Sequence, residues 1–487
     1  MCVYGGKLKF GGSALLPLNA ALCVIYLVVI MARCISRYFI ELEQEINLSF
    51  SLDNCIVETV QSIDEEETNE FGYLMITIEF ECKDYESLSD APIFVRAKYL
   101  SILGVVSYLI DEPFDVFGSS SECKRIEDNW ELSISNVFIL DNVDKTDKLE
   151  EVLGWIQHAK PHEKALIFSL LDRWRKARFM EKDTEVSFLY NDEATLSYFH
   201  VLELLGDLCA KELAKKSKVM LEQFCLQYNQ DILSLSQVAS ESEAVAKAKL
   251  LSSVLEKDIS VYAKICFYLK KYELYEERTA YWIKNLIEAR NNVAHGRKVF
   301  YEKAIFPVQP FFPLSTTELY PLVFLRILTA KVIAAYIGVS CYAEEWEDVL
   351  QHLNRGEQAT KAYLNEANFQ PPASLLQEYR SIVLGGINDL ILSKKIKSTT
   401  CVDFYRYYLQ LSDGREEFLK ENTHGLIIML EETNDAAFSE LLVEAIIELN
   451  STESISSIKF RDLIYYLDFH GFKTEKLKSL IASGRVR

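Results

Sequence analysis

The stretch YLMITIEFEC, residues 73–82, sets Ile76, Ile78 and Phe80 in alternation with Thr77, Glu79 and Glu81. A period of two puts each set on its own face of a pleated strand, so the segment predicts a half-buried β-strand and not a helix. WELSIS, residues 130–135, repeats the pattern, with Trp130, Leu132 and Ile134 against Glu131, Ser133 and Ser135. Between them FVRAKYLSILGVVSYLIDEPF, residues 94–114, predicts a helix stopped by Pro113. These signals define a mixed, acidic α/β domain over residues 38–150. Past the polar span DNVDKTDKLEE, residues 141–151, strand alternation ends and helical spacing takes over. The expected fold class is therefore α+β: a mixed α/β N-terminal domain, an all-α helical bundle over residues 163–345, and a C-terminal helical region over residues 346–487.

Bulk properties fit a folded chain. Its 487 residues are 49% hydrophobic, enough for two or three cored domains. The net charge of −20 argues against a nucleic-acid partner until its distribution is read. Residues 41–92 hold fifteen carboxylates against the single Lys83, so this stretch alone carries −14 and the rest is only mildly acidic. Within it DEEETNE, residues 64–70, reads first as a solvated loop and second as part of a face that repels RNA or covers a cleft. Eleven cysteines lie dispersed without a C-x-x-C pair, which signals neither zinc nor a disulfide framework and suits a reducing cytoplasm. The apolar segment within residues 1–37 is cleanest from Ala20 to Ala32, about half of the roughly 20 residues that a spanning helix needs. It reads as a buried element of the first domain, with membrane association through residues 14–32 as the alternative.

Four helices of the bundle can be placed. EKALIFSLLDRWRKARF begins at Glu163. NDEATLSYFHVLELLGDLCAKELAKKSK follows, with Asn191 or Asp192 as N-cap and Leu196, Phe199, Leu202, Leu205 and Cys209 at helical spacing. SEAVAKAKLLSSVLEKDISVYAKICFYLKKY leads to a helix from about Glu276. The closing segment ELYPLVFLRILTAKVIAAYIGVSCY is apolar on most faces, but Arg326 and Lys331 mark it as a core helix and not a membrane span. Pro371 and Pro372 mark a linker, and short helices follow from residue 374. Two of these flank Gly471 in a pattern compatible with a helix-turn-helix, although mixed charge favours a packing role.

The helix from Glu276 ends in IEARNNVAHGRKVF, residues 287–300. Asn291 and His295 are four residues apart and share a face, and the long Arg290 side chain can lean over Asn291. Gly296 is a natural helix end, where a side chain is freer to aim at a substrate. Residues 264–303 hold nine Lys or Arg against five Glu, a local basic patch in an acidic chain. No phosphate loop, acidic metal cluster or G-x-S-x-G elbow accompanies it. A histidine and an arginine together can cleave RNA without metal. The imidazole, with an ordinary pKa of about 6.5, moves a proton at the ribose 2′-OH or the leaving oxygen, and the guanidinium stabilises charge on phosphorus. DNA, lacking the 2′-OH, is excluded as substrate.

The run R-N-N-V-A-H-G resembles the signature of the HEPN superfamily: an arginine, a polar residue, and a histidine after a gap of four to six residues, often closed by glycine. Arg290, Asn291 and His295 match those places, and LSYFHVLELLGD upstream is similar to the first core helix of the ApeA-like antiphage branch. The resemblance covers roughly residues 163–345. It implies a metal-independent endoribonuclease of defence or toxin type, cutting tRNA or messenger RNA in a cleft between two copies of the chain. Arg290 and His295 would be the catalytic pair and Asn291 would orient His295 or the phosphate. It implies no cofactor and no metal, and it allows a phage-derived trigger or inhibitor. Some relatives keep the fold and only bind, so a non-catalytic scaffold for RNA, nucleotide or protein is the alternative.

Other residues have plainer readings. Arg297, Lys298, Lys270 and Lys271 are candidates for guiding RNA backbone, against a solvated charged face. His200 reads as a packed or capping histidine, with Glu203 beside it as a candidate to orient the arginine. Tyr272, Tyr275, Tyr281 and Trp282 read as packing more than base stacking. His158, His162, His352, His424 and His470 read as surface or loop residues. A membrane-associated helical signalling protein is a third hypothesis, and it needs residues 14–32 to insert.

Overall fold

The computed structural model describes residues 31–63, 68–83, 88, 91–114, 119–127, 131–132, 138–184, 190–255, 259–295, 322–353, 357–369, 386–412, 414–451 and 460–486. The fold class is α+β, an antiparallel sheet of six described strands followed by helices. Strands β1 (Met31–Glu41), β2 (Leu48–Leu52), β3 (Cys55–Ser62), β4 (Thr68–Lys83), β5 (Ser120–Arg125) and β6 (Ile139–Leu140) lie in the order β5-β1-β4-β3-β2-β6. The alternating stretch of residues 73–82 is the centre of β4. Arg37 lies opposite Thr77 and Tyr38 opposite Ile76 in β1, while Val57 of β3 flanks Ile76 on the other side. Ile76 and Ile78 are fully buried, whereas Glu79 sits on the opposite face and pairs with Arg33 at 2.6 Å.

Two expectations change here. The first strand begins at Met31, ahead of the expected boundary at 38, so the tail of the apolar N-terminal segment is sheet; residues 14–30 lie outside the described residues. WELSIS falls mostly outside them, and the described strands after the first helix are the short β5 and β6, whose hydrophilic or two-residue sequences carry no alternation to read.

Helix α1 (Ala91–Ile110) lies on the sheet, its Tyr99 ring stacked on Tyr38 of β1 at 4.1 Å. Its Ile93–Ile110 window is the one among the described residues long and apolar enough to cross a membrane, and half of it is buried within the fold. Gly104 lets α1 approach α3 (Pro161–Thr184): a Cβ there would lie 3.2 Å from the backbone of Leu171 and Asp172, so a larger residue would wedge the helices apart. The polar span at residues 141–151 leads into α2 (Val143–His158), capped by Asn142.

One continuous core runs from Tyr38 through α1, α2, α3 and the bundle to Leu353, with no seam between sheet and helices. At its centre Tyr108 packs edge to face on Trp174 and tilted against Tyr342, and Tyr108 donates to the carbonyl of Ala330 at 2.8 Å. Ala330 belongs to the closing helix, α9 (Leu322–Ile337), which is buried on nearly every side, as a core helix should be.

The second expected bundle helix is two: α4 (Asn191–Leu208) and α5 (Ala210–Asp231), with Cys209 buried at the break. Tyr190, not Asn191 or Asp192, takes the N-cap position of α4, without a side-chain bond. The next expected helix also divides, into α6 (Gln237–Leu255) and α7 (Val261–Lys271), the latter capped by Ser260. Helices α5 and α6 form a hairpin around Cys225, Ala244 and Ala248 that leaves Met220, Phe224, Ile232 and Val238 exposed.

A separate core gathers residues from Leu364 to Val486, built from short helices including α10 (Thr423–Glu432), α11 (Phe460–Phe469) and α12 (Glu475–Ala482). Leu467, Leu477 and Leu480 of the last two helices point into it, a packing role for the pair around Gly471. His424 departs from the expected surface position: it lies on α10, its ring 5.1 Å from that of Tyr466. Burial, reinforced by the neighbouring His470, pushes its pKa from 6.5 down to about 4. The unfolded chain takes up this proton first, so the stabilisation is complete above pH 6.5 and is lost as pH falls through about 4. That shift corresponds to about 3 kcal/mol. His424→Phe, which keeps a ring but not the titration, is expected to flatten the loss of stability of this unit on the acid side, measured as urea midpoints at pH 7 and pH 4. An unchanged acid slope would refute the assignment.

Candidate active site

Helix α8 (Glu277–Ala294) carries the motif. It buries Thr279, Ala280, Ile283 and Leu286, a stripe at spacings of three and four. Arg290 follows Ile283 by seven residues and Leu286 by four, so it continues that stripe one turn beyond the core, at the rim where α8 leaves α4. Helix α4 buries Ala194, Tyr198, Val201, Leu202 and Leu205 and presents His200, Glu203 and Asp207 along another face. The two rims meet at Arg290 and Glu203.

Arg290 Nη2 donates to Glu203 Oε1 at 2.5 Å, with each side chain about a quarter or less exposed. Arg290 Nη1 donates to Asn291 Oδ1 at 2.9 Å. A guanidinium has five N–H donors, so a group held on two sides still offers donors to an anion. Such a part-exposed pair adds little to stability, but it fixes where the cation sits. His295 is the turn residue directly after α8; its N–H donates to the carbonyl of Asn291 at 3.1 Å and its ring is exposed. A histidine at a helix C-terminus is favoured by the dipole when it carries a proton. Arg290 and Asn291 are therefore joined side chain to side chain, while the described bond of His295 to them is the backbone one to Asn291.

The remaining expectations divide. Arg297 and Lys298, with Gly296, lie outside the described residues. Lys270 and Lys271 end α7, where Lys270 Nζ stands 4.4 Å from the Tyr275 ring centre and Lys271 Nζ bonds Glu212 at 2.9 Å. Their contacts are thus with Tyr275 and Glu212, not with the motif. Tyr272 packs on Tyr268 at 4.6 Å, and Tyr281 accepts from Lys395 Nζ at 3.0 Å.

His200 is a correction. It is exposed and not packed, and its Nδ1 lies 3.3 Å from Arg173 Nη1 of α3. Partial burial, together with the positive charge of Arg173 and Arg290, lowers its pKa below 6.5, against a smaller opposing pull from Glu203. No local spacing in the sequence announces Arg173, because its neighbour comes from another helix. The rim so assembled brings together Arg173, His200, Glu203 and Arg290, with the exposed His295 at the end of α8, groups of the kind that bind a phosphate and move protons. Among the described residues no group of three or more His, Cys, Asp or Glu side chains is arranged to hold a metal ion. No family model, no curated protein and no solved structure matches the chain.

Proposed function

We propose that the chain is a metal-independent endoribonuclease of the HEPN type, acting in defence as a toxin-like enzyme on tRNA or messenger RNA. The observation that carries this reading is Arg290, held by Glu203 and Asn291 at the end of α8, with the exposed His295 one turn further on. In the reaction the ribose 2′-oxygen loses its proton and attacks the adjacent phosphorus. The bond from phosphorus to the 5′-oxygen breaks, and that oxygen takes up a proton. Products are a 2′,3′-cyclic phosphate and a 5′-hydroxyl. Arg290 offsets the added charge on the phosphoryl oxygens, while His295 transfers one of the protons. Two copies of the chain, each contributing its α8 end, would supply separate acid and base, so a homodimer is the working unit. A phage-derived component is proposed as the trigger or inhibitor.

The bond between Arg290 and Glu203 favours one alternative, a non-catalytic module for RNA, nucleotide or protein, because it already occupies part of the guanidinium. Purified protein incubated with tRNA and messenger RNA separates the two. The nuclease reading expects cleavage undiminished by EDTA, cyclic phosphate ends, and protection of the cut site by a single 2′-deoxy substitution. Intact RNA throughout, in the presence of a phage lysate as well, would leave the binding module.

A further inference from the structure

Arg173 has one described side-chain bond, to His200, and no carboxylate partner among the described residues. Neighbouring basic groups on α3 differ: Arg175 and Lys176 both pair with Asp172, at 3.1 Å and 2.6 Å. A guanidinium can only donate, so its contact with His200 makes the Nδ1 of that ring an acceptor. The ring proton then sits on Nε2, a donor with no partner among the described residues. His200 and Glu203 are three residues apart on one face of α4, and Glu203 holds Arg290. Three helices thus bring two guanidiniums and one oriented N–H to the same rim, where Glu203 holds Arg290 while Asp207 of α4 and Asp172 of α3 are paired with Lys264 and with Arg175 and Lys176.

We propose that Arg173, His200 and Arg290 form a cradle for a phosphate ester, assigned to a phosphodiester of an RNA strand. The choice of strand rests on the nuclease reading; the cradle itself does not. A phosphate oxygen accepts from His200 Nε2, while Arg173 fixes the tautomer and adds charge. Guanidinium groups suit phosphate oxygens because their N–H donors are planar and paired. His200 and Arg173 act in binding and positioning; His295 remains the group that moves protons.

The test uses full-length protein and a 2′-O-methyl oligoribonucleotide, which binds but cannot be cut through its 2′-oxygen, with a 5′-mononucleotide as second probe. A charge-assisted bond contributes enough that Arg173→Gln or His200→Gln is expected to weaken oligonucleotide binding about tenfold. Lys176→Gln, one solvated charge less on the same helix, is expected to change it less than about twofold. Unaltered circular dichroism and thermal midpoints identify variants that remain folded. In the wild type, saturation with the oligonucleotide should raise the His200 pKa, read by imidazole nitrogen NMR, because a phosphate anion favours the charged ring.

Equal losses in Lys176→Gln and Arg173→Gln would reduce the cradle to a diffuse positive field and overturn it. So would a His200 pKa that does not respond to either probe. Dependence on Arg173 and His200 with the mononucleotide alone would keep the cradle and assign it to a terminal phosphate. RNA that binds through these residues but is never cut would sink the nuclease reading and leave the cradle standing. RNA that is cut normally by both variants, with unchanged affinity, would do the reverse.

Discussion

Replacing His295 or Arg290 by alanine is expected to slow RNA cleavage about a thousandfold, within the range of a lost proton-transfer group or a lost charge stabiliser. The two losses should differ in kind. His295→Ala removes a proton-transfer group and no fixed charge, so its rate should fall while its affinity for uncut RNA holds. Arg290→Ala removes charge that acts on ground and transition states alike, so affinity falls together with rate. Glu203→Gln leaves the arginine in place but loosens its hold, and about a tenfold loss is expected there, with the pH profile unchanged. Single-turnover cleavage of one tRNA substrate measures all three. Mixing His295→Ala chains with wild type tests the dimer: if each copy contributes a histidine to one cleft, activity falls faster than in proportion to the mutant fraction. Variants that cut as fast as wild type would remove Arg290 and His295 from the catalytic pair, and intact RNA with every form would leave the non-catalytic reading.

Much of the scaffold could be read locally, because period two in residues 73–82 and the apolar stripe of the closing helix are set by the pleat and the helical turn. Helix limits inside the bundle could not. Residues 191–218 keep helical spacing across Cys209, yet the regular helix breaks there, where the Cys209 N–H bonds back to Gly206 three residues earlier, a break that no side-chain pattern announces. The short strands β5 and β6 pair with β1 and β2 through backbone bonds that no side-chain pattern announces. In the site, Arg290, Asn291 and His295 were legible because they are contiguous on the end of one helix and the turn that follows it. Glu203 was within reach of inference as a carboxylate on a neighbouring helix. Arg173 was not, since its meaning depends on α3 and α4 lying side by side.

Arg326 shows the same limit in the core and carries the largest expected loss of stability. In sequence it only interrupts an apolar helix. In the fold it bonds Asp111, which ends α1 with a left-handed φ of 56°, and its Nε lies 3.3 Å from Glu181 Oε1 of α3. Arg178 Nε adds a bond to Asp111 Oδ1 at 3.2 Å, and Tyr198 of α4 donates to Glu181 Oε2 at 2.6 Å. One guanidinium on α9 thus joins α1, α3 and, through Tyr198, the helix that holds Glu203. Glu181 is 7% exposed, and burial raises its pKa above 4.5 despite the opposing charge of Arg326. Arg326→Met takes from that buried carboxylate the cation that most favours its charge, with Arg178 still nearby, and about 3 kcal/mol of stability is expected to go at pH 7, the partial exposure of Asp111 screening its own share. The sign of the pH effect follows. A raised carboxyl pKa gives stability that is complete below about pH 4.5 and lost as pH rises through the folded value, and loss of Arg326 raises that value further. The variant should therefore suffer less at pH 4.5 than at pH 7, where the proton must be taken up against the solvent. Glu181→Gln in the same chain should recover part of the loss at pH 7, because the orphaned charge is then gone. Urea midpoints for the single and double variants at both pH values measure this coupling. Equal losses at the two pH values, or no recovery by Glu181→Gln, would mean that Arg326 stabilises the junction through the packing of its stem alone.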